Sequence, residues 1–248
     1  CAKPLIEWFK DLPMTLFSPD TALRFINGQY LPLTQGRVRT VLDPANLQAV
    51  GQVGLCGDAD VQAAVEAATA AQRQWRQVDA KSRAALLHQL ANALEQNSAC
   101  NREVARLMTL EMGKPFAEAM GELANCAPIF RYYAEMARDD AGKVAGTTQI
   151  GSFQHVRYEP YGVSVHIMPF NFPILLMCWT VAASLAAGNA CIIKPAEATT
   201  LCTLKFMEHF TTLAPGLVAC VPGDAATAQA LVQSSGTHAV AFTGSVAA

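Results

Sequence analysis

The chain has 248 residues, of which 52% are hydrophobic and 15% charged, and this balance excludes an intrinsically disordered protein. About 150 residues per domain is typical, so the length predicts one large or two small domains with a substantial core. The net charge of −2 lacks the basic surplus that is typical of nucleic-acid and anionic-membrane binders, and we expect neither partner.

The first half of the chain predicts strands followed by helices. Residues 1–24 contain three prolines and are expected to form an irregular lead-in. Residues 24–33 predict a hairpin, because Asn27-Gly28 favours the positive φ angles of a tight turn. Residues 38–53 predict a second strand pair. Apolar residues at helical spacing predict four helices: one with Asp58 as its N-cap, one around 87–94, one around 104–108 that ends at Gly113, and one over 116–138.

The second half predicts a regular alternation of strands and helices. Residues 142–160 are polar and rich in glycine, and they predict a protruding hairpin. Beyond them, strands are predicted at 162–167, 190–193, 217–221 and 239–242, with helices at 173–187, 201–213 and 225–235. This order is typical of an α/β fold in which helices cover both faces of a parallel sheet.

The most apolar run, residues 174–187, predicts a buried helix. A membrane span needs about 20 apolar residues, and this run is shorter. Proline precedes it, and Gly188-Asn189 follows it.

The eight cysteines contain no C-x-x-C pair and lie mostly among apolar residues. We expect small buried hydrophobic side chains of a reducing cytoplasm rather than disulfides or metal ligands. The prediction is therefore a cytoplasmic protein without a metal site.

Distinctive segments follow the predicted strands. They are MPFNFP at 168–173, KPAE at 194–197, PGD at 222–224 and TGS at 243–245. Ligands of open parallel sheets bind beyond the carboxyl ends of the strands, so a nucleotide crevice is expected there. The G-x-G-x-x-G fingerprint is absent, which disfavours a standard Rossmann dehydrogenase.

These segments resemble the aldehyde dehydrogenase superfamily. MPFNFP is similar to the family's P-W/F-N-F-P signature, AGNA followed by IIKPAE to its AGN…KPSE segment, and FTGS at 242–245 to its FTGS turn. EMGKP at 111–115 and the pair Trp75 and Arg83 also resemble family elements. The matches keep their order over residues 25–248.

The resemblance implies a Rossmann-like NAD-binding domain over 25–141 and 161–248, with an oligomerisation hairpin at 142–160. In the family, the nucleophilic cysteine and the general-base glutamate follow the FTGS turn. We therefore expect this chain to be the cofactor-binding half of a longer enzyme, without the catalytic domain. None of the eight cysteines stands at the nucleophile position.

Asn171 has two interpretations. Asparagine favours turns and helix N-caps, and Pro173 suits an early helical position. The resemblance implies that its side-chain amide stabilises the oxyanion of the reacting carbonyl, and this catalytic role is favoured because the flanking residues match.

Lys194 and Glu197 follow the second strand of the alternating region. Taken alone, Lys194 is interpreted as a solvated residue at a strand end, and Glu197 as a carboxylate favoured by the dipole at a helix start. The resemblance implies that Lys194 contacts the cofactor ribose or phosphate and that Glu197 accepts a ribose hydroxyl. A carboxylate there would repel a 2′-phosphate, so NAD is expected rather than NADP.

The other predicted cofactor contacts lie at the same strand ends. Gly223 is interpreted either as a turn residue or, from the resemblance, as a glycine that lets the cofactor lie close to the helix start. The negative charge of Asp224 makes it a poor neighbour for a pyrophosphate. Ser245 reads as a helix cap or a phosphate donor. The complete predicted set is Ile167, Met168, Pro169, Phe170, Lys194, Ala196, Glu197, Gly223, Phe242, Thr243, Gly244 and Ser245. Phe170 is expected to be a packed aromatic that shapes the pocket rather than a chemical participant, and His155 and His166 are expected to be structural.

The predicted function is NAD-dependent oxidation of an aldehyde to a carboxylic acid through a cysteine thioester. Two alternatives stay open: a non-catalytic cofactor-binding or interaction module, and a CoA-acylating dehydrogenase or acyl-phosphate reductase. The partners expected are an aldehyde of unspecified kind and further copies of the chain in a homodimer or homotetramer.

Overall fold

The computed structural model describes residues 17–34, 36–139, 142–146 and 149–245. Most of the predicted lead-in therefore lies outside the described residues. Two hairpins come first, formed by β1 (Leu23–Ile26) with β2 (Gln29–Pro32) and by β3 (Gly36–Leu42) with β4 (Ala49–Cys56). Asn27 and Gly28 have φ angles of 58° and 75°, as the two central residues of the predicted tight turn require. Both predicted strand pairs are confirmed.

Five helices follow, and two of the predicted boundaries are wrong. They are α1 (Asp58–Trp75), α2 (Ala80–Gln96), α3 (Ser98–Met112), α4 (Phe116–Ala124) and α5 (Cys126–Met136). The N-cap of α1 is Gly57, and Asp58 is the first helical residue. The single helix predicted over 116–138 is broken at Asn125. Pro128 explains the break, because it has no N–H for a bond to the carbonyl of Ala124 and its ring would clash there.

The predicted hairpin within 142–160 is confirmed as a short antiparallel pair. Its strands are β5 (Lys143–Ala145) and β6 (Gln154–Val156). All six strand residues are exposed, so the pair stands away from the core.

The alternating region has the predicted order. Its strands are β7 (Val163–Ile167), β8 (Ala190–Lys194), β9 (Val218–Cys220) and β10 (Ala239–Phe242), and its helices are α6 (Pro173–Ala187), α7 (Thr200–Phe206) and α8 (Ala225–Gln233). The helix predicted over 201–213 tightens to a 3₁₀ helix at Met207–Thr212. The hydroxyls of Thr211 and Thr212 donate to carbonyls three residues earlier, which competes with α-helical bonding.

The main sheet is mixed rather than wholly parallel. Its order is β10-β7-β8-β9-β1-β2, with parallel pairing from β10 to β9. The first hairpin joins it antiparallel, where Phe25 pairs with Cys220. Local sequence patterns do not encode this pairing, because the two strands lie at opposite ends of the chain.

Helices cover both faces of the sheet. On β7, Ser164 and His166 point toward α6, where their side chains bond to Ser184 and Thr180. Strand residues alternate between faces, so Val163 and Val165 point to the other side, against which α1 packs. His166 is buried and structural, as predicted.

Three long side chains hold the carboxyl end of α6. The indole Nε1 of Trp75 donates to the Leu185 carbonyl at 2.9 Å, and Nε of Arg83 donates to the Ala186 carbonyl at 3.1 Å. Nε2 of Gln72 donates to the carbonyl of Gly188 at 3.2 Å, and Gly188 ends the helix with a φ of 97°. The carbonyls that every helix end leaves unpaired are thereby satisfied.

The apolar run 174–187 is the buried helix α6, as predicted. Within the described part of the chain, no helix has the length and apolar character to cross a membrane. Seven cysteines are described, and all are buried free thiols, whereas Cys1 lies outside the described residues.

Candidate functional site

Three strand ends lie side by side at one edge of the sheet. Ile167 of β7 is in register with Phe242 of β10 and Lys194 of β8. The pairing continues into the loops, because the Thr243 amide donates to the Ile167 carbonyl at 3.1 Å and the Met168 amide to the Lys194 carbonyl at 3.0 Å. Sequence reasoning predicted this convergence, and the structure brings these residues together.

Lys194 is a nearly buried cation at this edge. The residue is 8% exposed, and among the described residues its ammonium has no hydrogen-bond partner and no ion pair within 4.0 Å. Burial lowers the pKa of Lys194, against the opposing effect of the Glu197 and Asp224 carboxylates. A desolvated ammonium with free donors suits a ribose hydroxyl or a phosphate oxygen.

Glu197 follows Lys194 in the 3₁₀ turn Glu197–Thr199 and is paired with Arg39 of β3. Arg37, on the same strand, pairs with Asp224 at 2.6 Å. Both arginines are largely exposed, and sequence reasoning missed them because β3 is remote in sequence. Ala196 precedes the turn and accepts the Thr199 amide at 3.0 Å. Glu197 thus follows Lys194 at the same strand end, with its carboxylate paired to an arginine of the neighbouring hairpin.

The start of α8 is closed by its own residues. Asp224 accepts the amides of Ala226 at 3.0 Å and Thr227 at 3.3 Å, which are the donors that a phosphate would use. A Cβ on Gly223 would lie 2.1 Å from the Thr227 hydroxyl oxygen. Internal packing therefore accounts for the glycine, and its cofactor contact stays a prediction.

The turn after β10 is close-packed on one side and open on the other. A Cβ on Gly244 would lie 2.6 Å from the Phe242 ring, which is itself half-exposed. Ser245 is exposed. The helix that Ser245 was predicted to cap would begin at 246–248, which lie outside the described residues.

The loop between β7 and α6 presents Asn171 to solvent. Met168 is buried and Pro169 half-buried, whereas Phe170 is 59% exposed, so its prediction as a packed aromatic is wrong. The N-cap of α6 is Phe172, so the N-cap interpretation of Asn171 is also wrong. Among the described residues the Asn171 side-chain amide has no hydrogen-bond partner, and its donors are available to a ligand.

A buried ion pair lies behind this loop. Lys114 and Glu122 form a salt bridge with side chains that are 6% and 0% exposed. Nζ of Lys114 donates to the Asn171 carbonyl at 2.6 Å and lies 3.9 Å from the centroid of the Phe172 ring. The carboxylate of Glu122 accepts the amides of Ile174 and Leu175 at 2.9 and 3.0 Å.

A second buried glutamate holds the next helix. Glu111 accepts the amides of Leu201 and Cys202 at 2.9 and 2.8 Å, and burial raises its pKa to about 7. Sequence reasoning assigned no role to Glu111, Lys114 or Glu122. A signal was present, because both glutamates stand at apolar-face positions of their helices, where an unpaired charge is costly.

The described residues contain no group of three or more His, Cys, Asp or Glu side chains that could hold a metal ion.

Comparison with known proteins identifies a family model, curated relatives and solved structures that this chain resembles. Residues 32–248 match the model of the aldehyde dehydrogenase family. Retinaldehyde dehydrogenase 3 of Rattus norvegicus is 37% identical over 228 residues, which cover 89% of this chain and 44% of that protein. The solved structure of PnpE from Pseudomonas sp. WBC-3 in complex with nicotinamide adenine dinucleotide matches with a TM-score of 0.85 at 33% identity, over 93% of this chain and 47% of PnpE. An NADP-dependent enzyme of E. coli matches with a TM-score of 0.82 at 31% identity, over 89% and 46% of the two chains.

The chain thus spans about half the length of the relatives that it matches.

Proposed function

The chain belongs to the aldehyde dehydrogenase family, and we propose that it supplies the NAD site and the oxyanion-binding residue of an enzyme that oxidises an aldehyde to a carboxylic acid. The observation that carries the proposal is the common sheet edge, where Lys194, Glu197 and Asn171 end or follow the adjacent strands β7 and β8. Among the described residues, the Lys194 ammonium and the Asn171 side-chain amide have no hydrogen-bond partner there. The NAD-binding domain is proposed to comprise residues 25–141 and 161–248.

The proposed chemistry begins when a cysteine from the rest of the enzyme attacks the aldehyde carbon. The carbonyl oxygen becomes an anion, and the Asn171 side-chain amide donates a hydrogen bond to it. Bound NAD supplies the hydride acceptor that turns the aldehyde carbon into a thioester carbonyl. Water then releases the carboxylic acid and frees the cysteine, so aldehyde, NAD⁺ and water give acid, NADH and H⁺.

The chain's own residues set the cofactor preference in this proposal. Lys194 donates to an adenosine ribose hydroxyl, and Glu197 accepts one. A 2′-phosphate would meet the Glu197 carboxylate, and Arg39 is already paired with that carboxylate. We therefore propose NAD as the cofactor, although a relative in complex with NAD and an NADP-dependent relative share the fold.

Cofactor binding tests this preference directly. We expect isothermal titration to give tighter binding of NAD than of NADP, and Glu197→Gln to weaken NAD binding about 10-fold, since a hydrogen bond to a charged group contributes roughly 1.5–3 kcal/mol. Glu103→Gln removes an exposed charge that pairs with Arg106 on α3, and it should leave both affinities unchanged. Tighter binding of NADP by the unmodified protein would contradict the proposal.

The oxyanion role is tested by Asn171→Ala in the complete enzyme. Removal of one oxyanion donor typically lowers kcat by about 100- to 1000-fold, and the affinity for NAD should not change. Asn46→Ala is the matched control, because the bonds that the Asn46 amide forms among the described residues all lie within the β3–β4 loop. Normal turnover of Asn171→Ala with intact cofactor binding would exclude this role.

We also propose that the hairpin of β5 and β6 joins copies of the chain in a homodimer or homotetramer in the cytoplasm. Its region exposes the apolar side chains Val144, Ile150, Phe153 and Val156. Large exposed apolar side chains in one region are typical of interaction sites. A monomeric complete enzyme would contradict this assembly.

A further inference from the structure

We propose that the buried Lys114–Glu122 pair is the positioning device for Asn171, which fixes the main chain from which the oxyanion-binding amide extends. The inference rests on the role proposed for Asn171. It gives a function to a pair of residues that lies outside the cofactor edge and that, among the described residues, is hydrogen-bonded to no predicted site residue except Asn171.

The Lys114 ammonium has partners on three sides. It pairs with Glu122, donates to the Asn171 carbonyl at 2.6 Å and lies 3.9 Å from the Phe172 ring centroid. An ammonium has three donors, and these contacts account for its hydrogen-bonding and electrostatic needs. Two consecutive residues of the loop are therefore held by one cation.

Glu122 ties the same loop to the helix that follows it. One carboxylate oxygen accepts the amides of Ile174 and Leu175, in the first turn of α6, and the other faces Lys114. The loop is thus anchored at its centre by Lys114 and at its end by Glu122. With the main chain of the loop fixed, only the side-chain torsion angles of Asn171 can still vary.

Stability alone does not account for this pair. Desolvation of two charges is unfavourable, and well-packed apolar residues at such a position are often as stable or more stable. A buried pair that bonds to the main chain of a loop does provide a defined geometry. Proposed catalytic groups need this, because a shift of about 1 Å can lower a rate about 100-fold.

Glu111 provides the matched comparison. It is also buried at the end of a helix and accepts two amides at the start of another, but that helix is α7 rather than α6. Among the described residues it forms no hydrogen bond or ion pair with Asn171 or Phe172. Glu111→Gln therefore controls for the general effect of changing a buried carboxylate.

A double-mutant cycle in the complete enzyme tests the inference. We expect Lys114→Met to lower kcat on the order of 100-fold, with KM for the aldehyde and affinity for NAD unchanged. In the Asn171→Ala background the same substitution should lower kcat less than about 3-fold, because the group that it positions is gone. Glu111→Gln should lower kcat less than about 3-fold in either background.

Coupling is the readout that a purely structural role would not produce. An equal loss of kcat from Lys114→Met in both backgrounds would overturn the inference. If Asn171→Ala alone leaves kcat unchanged, the proposed oxyanion role fails, and this outcome is distinct from a lack of coupling.

A second variant covers a folding defect of Lys114→Met, which leaves the Glu122 charge buried without its partner. Lys114→Met with Glu122→Gln removes both charges and should fold, as judged by its Tm and its NAD affinity. We expect it to show the same loss of kcat. A folded double variant with normal kcat would overturn the inference.

Discussion

His166 illustrates how burial sets the charge of one side chain. The residue is 1% exposed, and its two ring nitrogens lie 2.9 Å from the hydroxyl oxygens of Ser164 and Thr180. Neither hydroxyl carries a charge that would stabilise an imidazolium. Burial therefore lowers the pKa of His166 from 6.5 to about 4, and the folded protein holds it neutral.

This shift predicts a stability that falls with acid. The unfolded chain binds a proton on His166 near pH 6.5, whereas the folded chain does so only near pH 4, so acidification within that window favours unfolding. The loss approaches about 1.4 kcal/mol for each pH unit in the window. Urea denaturation of His166→Gln should show a shallower decline than the unmodified protein between pH 6.5 and 4.

The unmodified protein and His166→Gln share the other buried groups that titrate in this pH range. Burial and Lys205 lower the pKa of His209 to about 4, which has the same sign, and burial raises the pKa of Glu111 to about 7, which has the opposite sign. Their contributions cancel in the difference between the two curves. Parallel curves would show that His166 titrates normally in the folded protein.

At the scale of elements, α6 is the helix that connects the site to the core. Its first turn bonds to Glu122, and its last carbonyls accept bonds from Trp75 and Arg83. The resemblance identified Trp75 and Arg83 by sequence alone. The structure shows what Trp75 and Arg83 bond to. The sequence could not show it, because every residue has a backbone carbonyl and the acceptors carry no distinctive side chain.

Trp75→Phe should destabilise the fold by about 1–3 kcal/mol, because it leaves the Leu185 carbonyl without its buried donor. Urea denaturation at neutral pH measures this loss. Trp179→Phe is the control on α6, the helix that accepts the Trp75 bond, since Trp179 is 44% exposed, and a change within about 0.5 kcal/mol is expected. Equal losses from the two substitutions would mean that the indole hydrogen bond contributes little.

Helix boundaries were predictable where a local signal marks them. Gly113 ends α3 in the left-handed conformation, as its position in the sequence predicts. The break between α4 and α5 also had a local signal in Pro128, which the apolar periodicity across 116–138 concealed. The apolar periodicity continues through the break because the buried residues of α4 and α5 keep the same helical spacing.

For the whole molecule, the sequence predicted the elements better than their assembly. Alternating apolar segments placed β7, β8 and β10 within one residue of their observed ends. The addition of β1 to the sheet beside β9 was not predictable, because that pairing depends on packing between distant segments. The pairs of Arg39 with Glu197 and Arg37 with Asp224 were missed for the same reason.

In the candidate site, too, residues marked by local motifs were predictable, whereas contacts between distant segments were not. Asn171, Lys194 and Glu197 were predicted as site residues because short motifs follow the strands β7 and β8, and their roles remain proposals. Lys114 lay within a recognised motif, yet its partner Glu122 and its contact with the Asn171 carbonyl arise from helix packing. A charged residue on the apolar face of α4 was the one local indication of that packing.

The attachment of α6 at both ends has a mechanical consequence. The helix has 15 residues and is therefore about 22 Å long. A rod fixed at both tips can neither slide nor rotate about its axis unless contacts at both tips break together. Any displacement of α6 caused by crowding beside Trp75 would therefore also have to break or rearrange the Glu122 bonds at its first turn, next to Asn171.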